Sequence, residues 1–260
     1  MSGRRTFLKT ATGLVAFAAF SLHRPHWAHA AEDKPHWGYE GHGGPDQWGG
    51  LHNDYAACGT GSQQSPIDLR NPTPAILGDI AIDWRPTALK VVNNGHTIQV
   101  DADTGSKIVI GGKSFALLQF HFHHKSEHGL NGKQLPMELH FVHSSPDGTL
   151  AVLGVFLEAG GEPGAAVETI DAIWKLAPAE KGAAESAETI DPGALLPVER
   201  SFYRYYGSLT TPPCSEIVTW TVYHNPVAIT QAQIDAFATL FENNARPFQA
   251  LNRRFLLGTF

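Results

Sequence analysis

Cysteine is scarce: Cys58 and Cys214 are the only two in 260 residues, and they lie far apart. That separation argues against a zinc site of the Cys-x-x-Cys kind, and in an oxidising compartment it favours a disulfide over two free thiols. No period of roughly 20 to 50 residues recurs, which removes a solenoid or propeller. The apolar run from Ala11 to Phe20 is too short to span a bilayer. A His-Glu-x-x-His pattern, the mark of a helical zinc peptidase, is also missing.

The first thirty residues have the make-up of an export signal. Arg4 and Arg5 open it, the apolar run follows, and it closes on the small-residue pattern Ala28, His29, Ala30, with cleavage expected after Ala30 or Ala31. The paired arginines followed by Phe7 and Leu8 resemble a twin-arginine signal, with Gly3 where that motif usually carries Ser or Thr. The mature domain, residues 31–260, is therefore expected to be periplasmic or secreted. Four of the 19 Lys and Arg lie in residues 1–30 and none of the 25 acids does, so 15 cations face 25 acids afterwards, a net charge of −10. Such an acidic chain is a poor partner for nucleic acid or for anionic membrane surfaces.

With 42% hydrophobic residues and no break in composition, the chain can bury one large core in a single domain. Its 26 Gly and 17 Pro suit many short strands joined by turns better than a helical bundle. Residues 35–75 read as loop, with an aromatic cluster at Trp37, Tyr39 and Trp48. Strands are expected at Thr97–Asp101, Lys107–Ile110, Phe115–His123, Met137–His143 and Leu150–Glu158. Helices are expected at Ala165–Leu176 and at Gln231–Asn243, the second capped by Thr230. The stretch Ala177–Glu188, rich in Ala, Glu and Lys, reads as solvated surface.

Seven of the 14 histidines fall between His96 and His143. On a strand, Gln119, His121 and His123 share one face while Phe120 and Phe122 take the other. Glu138, His140 and Val142 likewise share a face of the next strand. If the two strands pair antiparallel across the loop from Lys125 to Pro136, His140 completes a triangle of nitrogens with His121 and His123. Three histidines leave a fourth tetrahedral position for water, the arrangement of a catalytic zinc site. Gln119 and Glu138, two residues before proposed ligands, are placed to accept ring N–H groups and fix tautomers. His143 faces away from His140 and is read as structural. His124 and His128 receive no ligand role.

Several stretches resemble the signature blocks of the alpha carbonic anhydrases. They are Gln119 to His123; Ser126, Glu127 and His128; Pro136 to His143; and Gly207 to Pro213. Flanking stretches agree: Trp37, Gly38, Tyr39; Gln64 to Asp68; Asn93 to His96; Ala151 to Leu157; Val218, Thr219, Trp220; and Asn252, Arg253. The resemblance covers essentially the whole mature chain. It implies an α+β fold, mostly β with peripheral helices, around a large twisted, mainly antiparallel sheet. It also implies zinc-dependent, reversible hydration of carbon dioxide to bicarbonate and a proton by a zinc-bound hydroxide, with these small molecules as the partners. His96 matches the family's proton shuttle, and Thr210 its gatekeeper, expected to hydrogen-bond an ionised Glu127. Val142, Val152, Leu209 and Trp220 match the apolar wall for carbon dioxide, and Thr211 a residue at the pocket mouth. Cys58 and Cys214 match a disulfide of exported members. His124, Gly43 and Gln99 depart from the commonest pattern, which bears on pocket hydration and proton transfer and leaves the ligands intact.

Two other classes compete with this reading. An exported binding protein on the same fold would have lost zinc ligands, yet His121, His123, His140, Glu127 and Thr210 are all present. A zinc hydrolase of esters or peptides would ordinarily recruit a carboxylate ligand, which the pattern here lacks.

Overall fold

The computed structural model describes residues 35–260, and the expected export signal lies outside them. Nine principal strands build the main sheet: β1 (Thr87–Asn93), β2 (Ile98–Asp101), β3 (Lys107–Ile110), β4 (Lys113–His124), β5 (Met137–Ser144), β6 (Leu150–Ala159), β7 (Gly182–Ile190), β8 (Phe202–Gly207) and β9 (Val218–Tyr223). Their spatial order is β7-β1-β2-β4-β5-β6-β9-β8, continued by short strands at Leu257–Gly258 and Thr73–Pro74. Most neighbours run antiparallel, but β6 and β9 pair parallel, as do the two short edge strands. The expected mainly antiparallel sheet is present, with a parallel junction near its middle.

Strand β5 sits at the centre, and every residue from Met137 to His143 is buried. Its odd positions Leu139 and Phe141 join Phe120, Phe122, Val155 and Leu157 in the larger core. Helices α1 (Ala165–Leu176) and α2 (Gln231–Leu240) cover that core with Val167, Ile170 and Ile173 from one and Ile234 and Phe237 from the other. Thr230 caps α2 as expected, in a reciprocal capping box with Gln233. The helix stops at Leu240, three residues short of the expected Asn243. The chain just beyond it brings the Asn244 carbonyl to His123 Nδ1. The opposite face of the sheet carries a smaller apolar cluster of Val142, Val152, Tyr205, Trp220 and Val222.

Two stretches differ from the sequence reading. Ala177–Glu188 is solvated surface as expected, but most of it also enters the edge strand β7, paired antiparallel with β1 from Gly182↔Asn93 to Ile190↔Thr87. Its side chains stay largely exposed, so the strand carries no alternating apolar pattern by which to recognise it. In β4 the faces do not alternate along the full length. Phe115 and Leu117 share the core with Phe120 and Phe122, so parity switches once. The switch lies opposite the register shift between Val142 and His143, where the extra residue of a bulge re-aims the following side chains. Beyond that bulge Gln119, His121 and His123 turn together toward the smaller cluster's side.

Residues 35–75 form short helical turns and two-residue strands, not plain loop. Trp37, Tyr39 and Trp48 make the expected cluster, with ring centroids 5.3 to 5.8 Å apart and edges against faces. Cys58 and Cys214 are joined in a disulfide beside it. Among the described residues no helix is long and apolar enough to cross a membrane.

Candidate metal centre and cleft

The register of β4 against β5 places His140 directly opposite His121, and Glu138 opposite His123. One ring nitrogen of each histidine is spoken for. His121 Nδ1 lies 2.8 Å from Gln119 Oε1, His123 Nδ1 2.8 Å from the carbonyl oxygen of Asn244, and His140 Nε2 2.9 Å from Glu138 Oε1. All three partners are oxygen acceptors, so each of those nitrogens is the protonated donor and the other carries a lone pair. The lone-pair nitrogens are therefore His121 Nε2, His123 Nε2 and His140 Nδ1. One nitrogen from each ring lies within 4.8 Å of those of the other two.

Electrostatics favour the neutral, ligating form. Burial, reinforced by His123 and His140, holds His121 well below the ordinary imidazole range, and burial likewise lowers His123. Burial alone would raise the Glu138 carboxyl, but His128 and His140 beside it, each hydrogen-bonded, hold it well below the usual range. His123 Nε2 is buried without a hydrogen-bond partner among the described residues. An orphaned imidazole lone pair in a dry site is costly unless something coordinates it. Three convergent nitrogens, each on a ring whose other nitrogen is held by an oxygen acceptor, fit a tetrahedral zinc with one position left open.

Glu127 closes the other side. Its Oε1 accepts the backbone N–H of Arg246 at 2.8 Å, while Oε2 lies 3.5 Å from His123 Nε2 and 3.8 Å from His140 Nδ1. Oε2 is buried with no hydrogen-bond partner among the described residues, so the expected bond from Thr210 is not made here. Thr210 is buried on the adjoining loop. That loop starts at Gly207, where a Cβ would overlap Ser65 and come within 3.0 Å of Trp220 Cδ1. No larger residue can begin it without displacing them.

The apolar wall forms by register. Val142 faces Val152 across the β5/β6 pair, and Val152 faces Trp220 across β6/β9. Leu209 packs on the same cluster, and the Trp220 ring stands 4.8 Å from that of His140. A cleft of about 130 Å³ leads from His121 and His123 past Gln99 and Thr211 to His96 at the mouth. His96 is half-buried, its ring stacked on Trp37 at 3.8 Å and 7°. The proposed ligands and the apolar residues Val142, Val152 and Trp220 thus gather on one side of the sheet, and Cys58–Cys214 packs with Trp48 and Tyr55. As expected, His143 lies outside the set, with Nδ1 3.2 Å from the Ala151 carbonyl. His124 also lies outside it and uses Nδ1 on the Glu242 carbonyl.

Three comparisons bear on this arrangement. The family model described as eukaryotic-type carbonic anhydrase matches residues 43–259. The chain belongs to that family. A carbonic anhydrase of Nostoc sp. is 44% identical over 228 residues, covering 85% of each chain, and one of Pectobacterium atrosepticum is 40% identical over 251 residues, covering 96% of this chain and 98% of its own. The alpha-carbonic anhydrase of Thermovibrio ammonificans, solved with the inhibitor sulfanilamide, superposes with a TM-score of 0.82 at 43% identity, over 85% of this chain and 98% of that one. This protein is accordingly a carbonic anhydrase enzyme, of a family whose reaction is the hydration of carbon dioxide.

Within this carbonic anhydrase, four contributors escaped the sequence reading. Asn244 orients His123 through its backbone carbonyl, a group that carries no side-chain signal. The backbone amide of Arg246 is hidden in the same way. His128, given no role, donates Nδ1–H to Glu138 Oε1 at 2.7 Å and meets Tyr205 Oη at 2.7 Å through Nε2. Tyr205 Oη in turn lies 2.9 Å from Ser65 Oγ, which accepts the Ser208 amide at 3.1 Å. This buried chain runs from a metal-site histidine to the start of the gatekeeper loop. Its place in the block Ser126, Glu127, His128 was the clue to it.

Proposed function

We propose that this enzyme hydrates carbon dioxide with zinc held by His121 Nε2, His123 Nε2 and His140 Nδ1. The observation that carries the reading is the convergence of three imidazoles, each with its other ring nitrogen on its own oxygen acceptor. When bound, zinc supplies Lewis acidity that lowers the pKa of coordinated water to about 7, making a nucleophile available at neutral pH.

The remaining chemistry falls to the chain's own residues. Glu127 Oε2, buried and without a hydrogen-bond partner among the described residues, is the acceptor we assign to the Thr210 hydroxyl, which then accepts a hydrogen bond in its turn and orients the attacking oxygen. Val142, Val152, Leu209 and Trp220 offer carbon dioxide a surface without competing hydrogen bonds, and Thr211 flanks the entrance. His96 takes up the proton that each turnover releases. A group of pKa about 7, recapturing protons near the limit of ~10¹⁰ per molar per second, can release them to bare water at only ~10³ per second. Faster turnover needs a nearby base that titrates close to neutrality, which imidazole supplies. Burial, with help from His36 and Lys181, lowers the His96 pKa, so the ring is neutral and ready to accept at pH 7.

Two measurements test this. Chelator-stripped protein is expected to be inactive in stopped-flow carbon dioxide hydration and to recover with one zinc per chain; full activity without metal would sink the proposal. In dilute buffer, His96→Ala is expected to lower kcat at least about tenfold, to leave kcat/KM nearly intact, and to be rescued by added imidazole. An unchanged kcat removes His96 from the site.

A further inference from the structure

A second cavity, of about 660 Å³, shares no lining residue with the cleft that leads to His121 and His123. Leu77, Ile110, Phe115 and Ile217 give it apolar walls, and the exposed ring of Tyr206 lines it as well. Apolar walls with a few polar groups are the make-up of a small-molecule site.

Arg204 is the polar group that stands out. Alternation along β8 sends Tyr203 and Tyr205 into the smaller apolar cluster and leaves Arg204 and Tyr206 to the cavity. The guanidinium lies 4.9 Å from the centre of the Phe202 ring, and its Nε donates to Thr221 Oγ1 at 2.8 Å. Its Nη2 is buried with no hydrogen-bond partner among the described residues. Burial lowers the Arg204 pKa, and the groups that oppose this are Tyr206 and Tyr223, not a carboxylate. Arginine nevertheless stays charged, and a largely buried cation with unused donors is costly until an anion meets it. The other charges around the cavity are already engaged. Lys113 Nζ is held by Asp147 at 2.7 Å and by Thr149, and Glu216 Oε1 accepts from the Gln63 amide and from Gln64 Nε2.

We propose that this cavity binds an organic monocarboxylate, with its carboxylate on the Arg204 guanidinium and its apolar body against Leu77, Ile110, Phe115 and Ile217. The planar fork of guanidinium donors matches the geometry of a carboxylate. A bare inorganic anion would leave the apolar walls wet, and a second acid group would meet the charge of Glu216. The site stands apart from the proposed metal centre and does not depend on that reading.

4-Phenylbutyrate, titrated by calorimetry into the zinc-loaded, full-length protein, tests the site. Binding is expected with a Kd below about 1 mM. Arg204→Met keeps the length of the stem and removes the charge, and is expected to weaken binding at least about tenfold; 4-phenylbutanol, the same body without charge, is expected to bind the parent as weakly. Ile217→Asp alters an exposed wall position and leaves Arg204 in place, so it serves even if Arg204→Met fails to fold. Its added carboxylate is expected to weaken binding about threefold. Methyl NMR locates the ligand: Ile110 and Ile217 are expected to shift, and Val142 and Val152 to stay. No binding at millimolar acid, equal affinity for acid and alcohol, or full affinity in either variant overturns the proposal. Shifts at Val142 and Val152 alone overturn it too, because the acid would then sit at the proposed metal centre. A dimer in sedimentation that Ile217→Asp dissolves would show the cavity covered by a second copy of the chain, which also overturns it.

Discussion

His121, His123 and His140 converge from two paired strands, whereas Glu127, Thr210, Asn244 and Arg246 lie on loops. The strand side is fixed by ladder register and by short-range partners, each acceptor two residues from its histidine in the cases of Gln119 and Glu138. The loop side depends on contacts across most of the chain: Asn244 is 121 residues from His123, and Arg246 is 119 from Glu127. Arg246 is the hub of that side. Its guanidinium donates to Gln64 Oε1, to the Ser65 carbonyl and to the Cys58 carbonyl, while its amide holds Glu127. Gln64 in turn donates to the Cys214 carbonyl at 3.0 Å, so the disulfide and the carboxylate belong to one scaffold. The difference teaches a division of labour within the proposed site: the sheet places the three histidines assigned to the metal, and the loops place Glu127 and Thr210, the groups proposed to orient the reacting oxygen.

The sharpest way to break this comparison acts on the strand side. His140→Ala leaves two nitrogens, and zinc affinity is expected to fall by more than about 100-fold, beyond the scale for losing only an orienting partner, with hydration nearly abolished. Full activity with one bound zinc in that variant would remove the ligand assignment. On the loop side, Thr210→Val keeps shape and deletes the hydroxyl. It is expected to retain zinc while slowing hydration roughly 100-fold, the scale of one oriented polar group in a preorganised site. Equal loss of zinc and of rate would show that the two sides are not separable.

The smallest expected effect on turnover comes from the pair Cys58→Ser and Cys214→Ser together. Opening a link across a sequence separation of 156 residues is expected to cost about 2–5 kcal/mol of stability in urea unfolding. Zinc affinity, set by the strands, is expected to stay within about threefold of the parent. A parallel collapse of metal affinity, measured in the folded variant, would place the disulfide in the strand side's support.

Strand periodicity made half of the site legible. Alternation in Gln119 to His123 and in Glu138 to Val142 assigns faces with no knowledge of the fold, because side chains on a strand repeat every two residues. The same reasoning failed at Leu117 and Leu118, where a bulge set by pairing with β5 shifts the phase. It failed again at Gly182–Ile190, whose Ala, Ser and Glu side chains face solvent and whose hydrogen bonds to β1 leave no mark in hydrophobicity. The resemblance to a known family added Thr210, Glu127, His96 and the apolar wall, none of which stands out by residue type.

By itself, the sequence determined the ligand-bearing faces, the acceptors that fix His121 and His140, the cap of α2 and the pairing partners available to its two cysteines. These are local matters of period, spacing and residue chemistry. Tertiary structure alone decided that a backbone carbonyl at Asn244 would orient His123, that the Arg246 amide would hold Glu127, and that His36 would come to lie beside His96. Backbone groups are identical at every position, and contacts between distant segments exist only once the chain has closed on itself. No pattern within either segment specifies them.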